Sequence, residues 1–140
     1  NLKHTIMDRV KLVSAVQQCC GKSGYSFRAL GTGYISAQAP KMAAALLEEP
    51  VFLSIEGRNH GRITYSVVLH LLDKGMRTSP EQLSQQISRM ESDMLEVMSQ
   101  LSKCEDIALV SNLNITPAAH SVLGRGEVGV TARAEVEVIF

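Results

Sequence analysis

TSPEQLSQQISRMESDMLEVMSQLSK, residues 78–103, is the stretch on which the fold turns. Ser79 can cap the free amides of a first helical turn, Pro80 suits the first helical position, and Gln82 stands where a capping-box partner reaches back. Apolar residues then recur at Leu83, Ile87, Met90, Met94, Val97 and Leu101, at steps of four, three, four, three and four. That spacing paints one stripe along a helix of about six turns, with Glu81, Arg89, Glu91, Asp93 and Glu96 on the wet side. Alternating apolar and polar residues flank the helix on both sides, so the stripe must cover a sheet.

Upstream, Ile6, Val10, Val13, Val16 and Cys20 recur at helical spacing and predict a first helix over 5–20, with Thr5 and Asp8 as a capping pair and Gly21 as its stop. Residues 21–40 are punctuated by Gly21, Gly24, Gly31, Gly33 and Pro40, and the brief alternation of Tyr25, Phe27 and Leu30 predicts a short strand and a loop. KMAAALLEE, residues 41–49, has high helix propensity and reads as one or two helical turns ended by Pro50. Residues 51–56 read as a strand with Val51, Leu53 and Ile55 on one face. Gly57, Asn59 and Gly61 then turn the chain into a second strand over 62–72, where Ile63, Tyr65, Val67, Leu69 and Leu71 alternate with more polar neighbours.

Downstream of the long helix, Ile107, Leu109, Leu113 and Ile115 predict a strand over 107–115, followed by a polar connection over 117–127. The chain closes on Val128, Val130, Ala132, Ala134, Val136, Val138 and Phe140, which share one face of a strand whose other face carries Thr131, Arg133, Glu135 and Glu137. Such alternation implies a sheet with one buried and one wet face. The expectation is a single α+β domain over 1–140: a two-layer sandwich in which a mostly antiparallel or mixed sheet of four to five strands carries two main helices on one face. The strands on either side of the long helix should run parallel to each other.

The 140 residues suffice for one domain that buries about two thirds of its unfolded surface. Fourteen basic residues balance fourteen acidic ones. Direct nucleic-acid recognition and attachment to an anionic membrane both call for a basic surplus, so neither is expected. No apolar run approaches the roughly 20 residues of a membrane span. Three cysteines, two of them adjacent, make no disulfide framework and fit a reducing compartment.

No motif for catalysis, cofactor or metal emerges. Gly124-Arg125-Gly126-Glu127-Val128-Gly129 matches G-x-G-x-x-G, but a dinucleotide site needs a helix after it, and here a strand follows. Gly21-Lys22-Ser23 has the ending of a phosphate loop, but Val16 stands where its first glycine should be, and it follows a helix rather than a strand. His4, His60, His70 and His120 show no ligand spacing, and His70 reads as a surface residue on the polar face of its strand. Cys19 and Cys104 read as small hydrophobes. Arg133, Glu135 and Glu137 share the open face of the last strand, where they can form a polar subunit interface.

The order of elements resembles that of the tail terminator proteins of long-tailed bacteriophages, the lambda type in particular. NLKHTIMDRVKLVSAV is similar to their opening helix. Residues 62–72 leading through Ser79-Pro80-Glu81-Gln82-Leu83 resemble their passage from strand to long helix, and 128–140 resembles their last strand. The likeness spans nearly the whole chain and is one of topology; residues 31–50 depart from it. It implies a structural protein rather than an enzyme: a homo-oligomeric ring, usually a hexamer, that caps the tail tube and joins it to the head connector. The implied location is the virion tail, assembled in the host cytoplasm, with the tail tube and head–tail connector proteins as partners and no cofactor. On exposure alone, Arg58 and His60 in the 57–61 turn and Arg125 in the 117–127 loop are expected to touch neighbours, with Arg133, Glu135 and Glu137 contributing to subunit pairing. The competing reading is a small oligomeric α+β ligand-binding module or enzyme, with a pocket near His70, Tyr65 and Arg133. A third is an adaptor domain of another tail-like machine.

Overall fold

The computed structural model describes residues 2–30, 41–75, 79–117 and 126–140. Two helices and a six-stranded mixed sheet build an α+β fold: α1 (Leu2–Lys22), β1 (Ser26–Ala29), β2 (Ala44–Leu47), β3 (Val51–Gly57), β4 (Gly61–Lys74), α2 (Pro80–Ser102), β5 (Ile107–Pro117) and β6 (Glu127–Ile139). The sheet order is β1-β2-β4-β6-β5, and β3 also pairs with β4. β4 and β5 flank α2 in sequence and both run antiparallel to β6, which lies between them, so they are parallel to each other.

The capped helix forms as its sequence dictates. Ser79 is extended, with φ −162°, and its side chain accepts a hydrogen bond from the Gln82 amide at 3.1 Å. Met90, Met94, Val97 and Leu101 are buried against the sheet, together with Met98. Leu83, at the start of the stripe, remains 36% exposed; one turn on, Gln86 is buried and donates to the Lys74 carbonyl at 2.8 Å. A polar side chain thus ties the first turns of α2 to the end of β4.

β4 and β6 are the spine. Thirteen residues of each pair without a shift, from Arg62 opposite Ile139 to Lys74 opposite Glu127. Ile63, Tyr65, Val67, Leu69 and Leu71 of β4 meet Val138, Val136, Ala134, Ala132 and Val130 of β6 on the helix-covered face. The small Ala132 and Ala134 let the helices lie close, as cores packed to crystal density require.

Several expectations are corrected. Residues 41–49 hold no helix: Ala44–Leu47 is a strand, parallel to β1 and antiparallel to β4, and all four of its residues are buried. A strand buried on both faces has no alternation to show, and its neighbours override the helix propensity of Ala and Leu. The first helix starts at Leu2, so Thr5 and Asp8 lie within it rather than at its cap, and Asp8 is 1% exposed. Its buried side is Leu12, Val16, Cys19 and Cys20, while Val10 is 53% exposed. The helix passes Gly21 and turns away at Gly24, whose φ of +87° suits a residue without Cβ, while the Tyr25 amide donates back to the Cys20 carbonyl. In β5 the expected phase breaks: register shifts between Ile107 and Leu109 and between Ser111 and Asn114, with Asn112 at φ 52°, leave Leu109 and Leu113 exposed. The connection over 118–125, which includes Arg125, lies outside the described residues.

Candidate functional site

The face of the sheet away from the helices has two unlike ends. Register places Thr64, Ser66, Val68, His70 and Leu72 of β4 beside Glu137, Glu135, Arg133, Thr131 and Gly129 of β6 on this face. At the end nearest the β3–β4 turn it is polar and open. Arg62 approaches Glu137 at 3.9 Å, Asn112 donates to Glu135, and Arg133 is exposed. At the other end Ala44, Leu46, Leu72 and Gly129 are all buried, and the Leu72 Cδ2 lies 2.5 Å from where a Cβ on Gly129 would stand. The expected wet face is therefore wet over part of its length only.

His70 sits at the boundary and is not the surface residue its strand phase suggested. It is 9% exposed, with Nδ1 2.8 Å from Thr131 Oγ1 and Nε2 2.7 Å from Glu48 Oε2. Both ring nitrogens are satisfied when Nε2–H donates to the carboxylate and Nδ1 accepts the threonine hydroxyl. The chain of contacts ties the residue after β2 through β4 to β6. Thr–His–carboxylate is also the order of a nucleophile, its base and an orienting group. Here, however, β6 is paired on both sides at Thr131, with His70 and with Thr116. The peptide groups around Thr131 therefore lie inside the ladder, between two neighbouring strands.

His70 and Arg133 share one face of the sheet, but Tyr65 points to the opposite face, so these three side chains do not converge. Tyr65 is wholly buried beneath the helices, where burial raises its pKa and the guanidinium of Arg9 lies 5.2 Å from its ring centre. Arg9 also donates to the Glu49 carboxylate at 2.9 Å and to the Pro50 carbonyl, pinning α1 to the passage from β2 to β3. A groove of about 410 Å³ runs between α1 and the α2–β5 connection, lined by Lys11, Ser14, Gln18, Cys104 and Asp106 among others. Lys11 spans it, 4.0 Å from Asp106 and 3.7 Å from Asp8. Burial pushes the Cys20 thiol up to about 12 and, with help from Cys104, the Cys19 thiol up to about 11, far from the range of an activated nucleophile. Tyr25 is pushed up by burial and by its 2.7 Å hydrogen bond to Asp93. Among the described residues no group of three or more His, Cys, Asp or Glu could hold a metal ion.

Of the residues singled out in the sequence, Arg133, Glu135 and Glu137 share the open face, and Arg58 and His60 are exposed at the same end of the sheet. What sequence reasoning underrated is β3. All seven of its residues are exposed, with Val51 at 58%, Phe52 at 42%, Leu53 at 47% and Ile55 at 50%. The signal is present in VFLSI, an apolar run beside a turn, but its exposure is set by what the fold places beside it, which no local pattern shows. No protein-family model matches this chain, and a search of curated proteins finds no match.

Proposed function

We propose that this chain is a structural subunit of the phage tail-terminator kind, which assembles with copies of itself into a closed ring on the end of a tail tube. The observation that carries the reading is the unfinished sheet: among the described residues β3 pairs with β4 alone, and four of its large apolar side chains are exposed. A monomer gains nothing from such an edge, which is a template for pairing with another chain. Identical subunits that close on themselves through unlike surfaces form rings. The element order of helix, hairpin, long helix and two strands supports the tail-terminator assignment, and the open polar face around Arg133, Glu135 and Glu137 offers a surface for the tube or the connector.

Native mass across a concentration series at moderate salt tests the first half of this reading. A closed species of about six subunits is expected, and a chain that stays monomeric at every concentration, with and without tail tubes, overturns it. Addition of the protein to polymerising tube subunits tests the second half: growth should stop at the capped end.

A further inference from the structure

We infer that the ring is held by sheet extension, the β3 edge of one copy pairing antiparallel with the β5 edge of the next; the inference rests on the self-assembly proposed above. These strands lie at opposite edges of one sheet, and each has described pairing on one side only. Each bears apolar side chains in water: Val51, Leu53 and Ile55 on β3, Leu109 and Leu113 on β5.

The strand directions decide the geometry. β3 is antiparallel to β4, β4 to β6, and β6 to β5, so β3 and β5 run in opposite senses within the subunit. A second copy placed beside the first in the same orientation, its helices on the same side, therefore brings its β5 antiparallel to β3. Antiparallel pairing is the more stable ladder and needs no connection between the strands.

The same placement matches charge. The β3–β4 turn and the start of β5 are at one end of the sheet, as shown by Gly61 bonding to Phe140 and Asp106 to Ile139. Arg58 and His60 of one copy then face Glu105 and Asp106 of the next, all four exposed. A two-fold pairing of β3 with β3 offers a weaker match, because it would bring Arg58 toward Glu49 of the other copy, which Arg9 engages at 2.9 Å, whereas Lys11 stands 4.0 Å from Asp106. A register shift between Phe52 and Ser54 and those in β5 keep each edge from pairing along its whole length, which restrains open-ended aggregation while leaving short segments free.

The test uses two variants, Ile55→Lys on β3 and Leu109→Lys on β5. Both positions are about half exposed, and unchanged thermal melting of each monomer confirms that the fold survives. Each variant alone should assemble about ten- to a hundred-fold more weakly than the parent chain, the range expected for losing one buried aliphatic contact. Mixed, they should form a one-to-one heterodimer, because the intact β3 of Leu109→Lys meets the intact β5 of Ile55→Lys and growth stops there. If only Ile55→Lys impairs assembly, a two-fold β3 contact replaces this inference. If both variants assemble like the parent, the ring stands and its interface lies elsewhere. A parent chain that is monomeric throughout removes the ring and this pairing together.

Discussion

β2 and β3 share one edge of β4 and are both rich in apolar residues, yet they have opposite fates. AALL pairs with Leu69–Leu72 and is buried throughout, whereas VFLSIEG pairs along Arg62–Ser66 and is exposed throughout. Composition does not separate them. β2 has β1 on its far side, while among the described residues β3 pairs with β4 alone and its side chains are exposed. Burial is decided by what a strand is placed between, and an apolar strand left at an edge marks where another surface belongs.

The contrast breaks first in β2. Leu47→Ala should cost about 2–5 kcal/mol, as for a fully enclosed aliphatic side chain, measured by denaturant unfolding of the monomer. An effect below 1 kcal/mol would mean that β2 is not enclosed. Alkaline pH probes the same layer through the thiols under α1. Because burial raises the Cys20 pKa from 9.0 to about 12, the folded chain holds that proton more tightly than the unfolded chain does. This contribution is complete below pH 9.0 and is lost as the pH climbs toward 12, so the melting temperature of the parent chain should fall over that window more than that of Cys20→Ala.

His70→Ala removes the tie from the end of β2 to the sheet and leaves Thr131 without its partner, at a cost of about 1–3 kcal/mol. A neutral result would show that Glu48 and Thr131 are satisfied equally well without the imidazole. The sharpest form of the contrast is its smallest number. Leu53→Ser should change monomer stability by no more than about 0.5 kcal/mol while weakening self-association, read by melting and by sedimentation of the same sample. A large loss of monomer stability would place Leu53 in the core after all.

The parts legible in the sequence are those where one face meets the core and the other meets water. β4, β6 and α2 declare themselves by period, and the α2 cap by Ser79, Pro80 and Gln82. β2 does not declare itself, because a strand covered on both faces has no period, and Ala and Leu are also good helix formers. In α1, Val10, Leu12, Val13 and Val16 offer more than one stripe, and only the sheet selects Leu12 and Val16 over Val10. The phase of β5 was lost at register shifts that no alternation announces, though Asn at position 112 is a residue type that tolerates a positive φ. The shared face of Arg133, Glu135 and Glu137 followed from alternation. Their partners Arg62 and Asn112, and the His70 tie, come from registers between strands far apart in sequence, which local pattern cannot supply.

The place of β6 also governs how the molecule comes into being. It is the last of the six strands to be synthesised, yet it lies between β4 and β5 and pairs with both. Until it emerges from the ribosome, the sheet is in two pieces: among the described strands, β4 has bonded neighbours along one edge only, and β5 has none. Its insertion must join contacts that are distant along the chain, the arrangement for which folding is slow. A nascent chain halted before Glu127 would therefore present unpaired strands to its surroundings, and only the synthesis of β6 closes them.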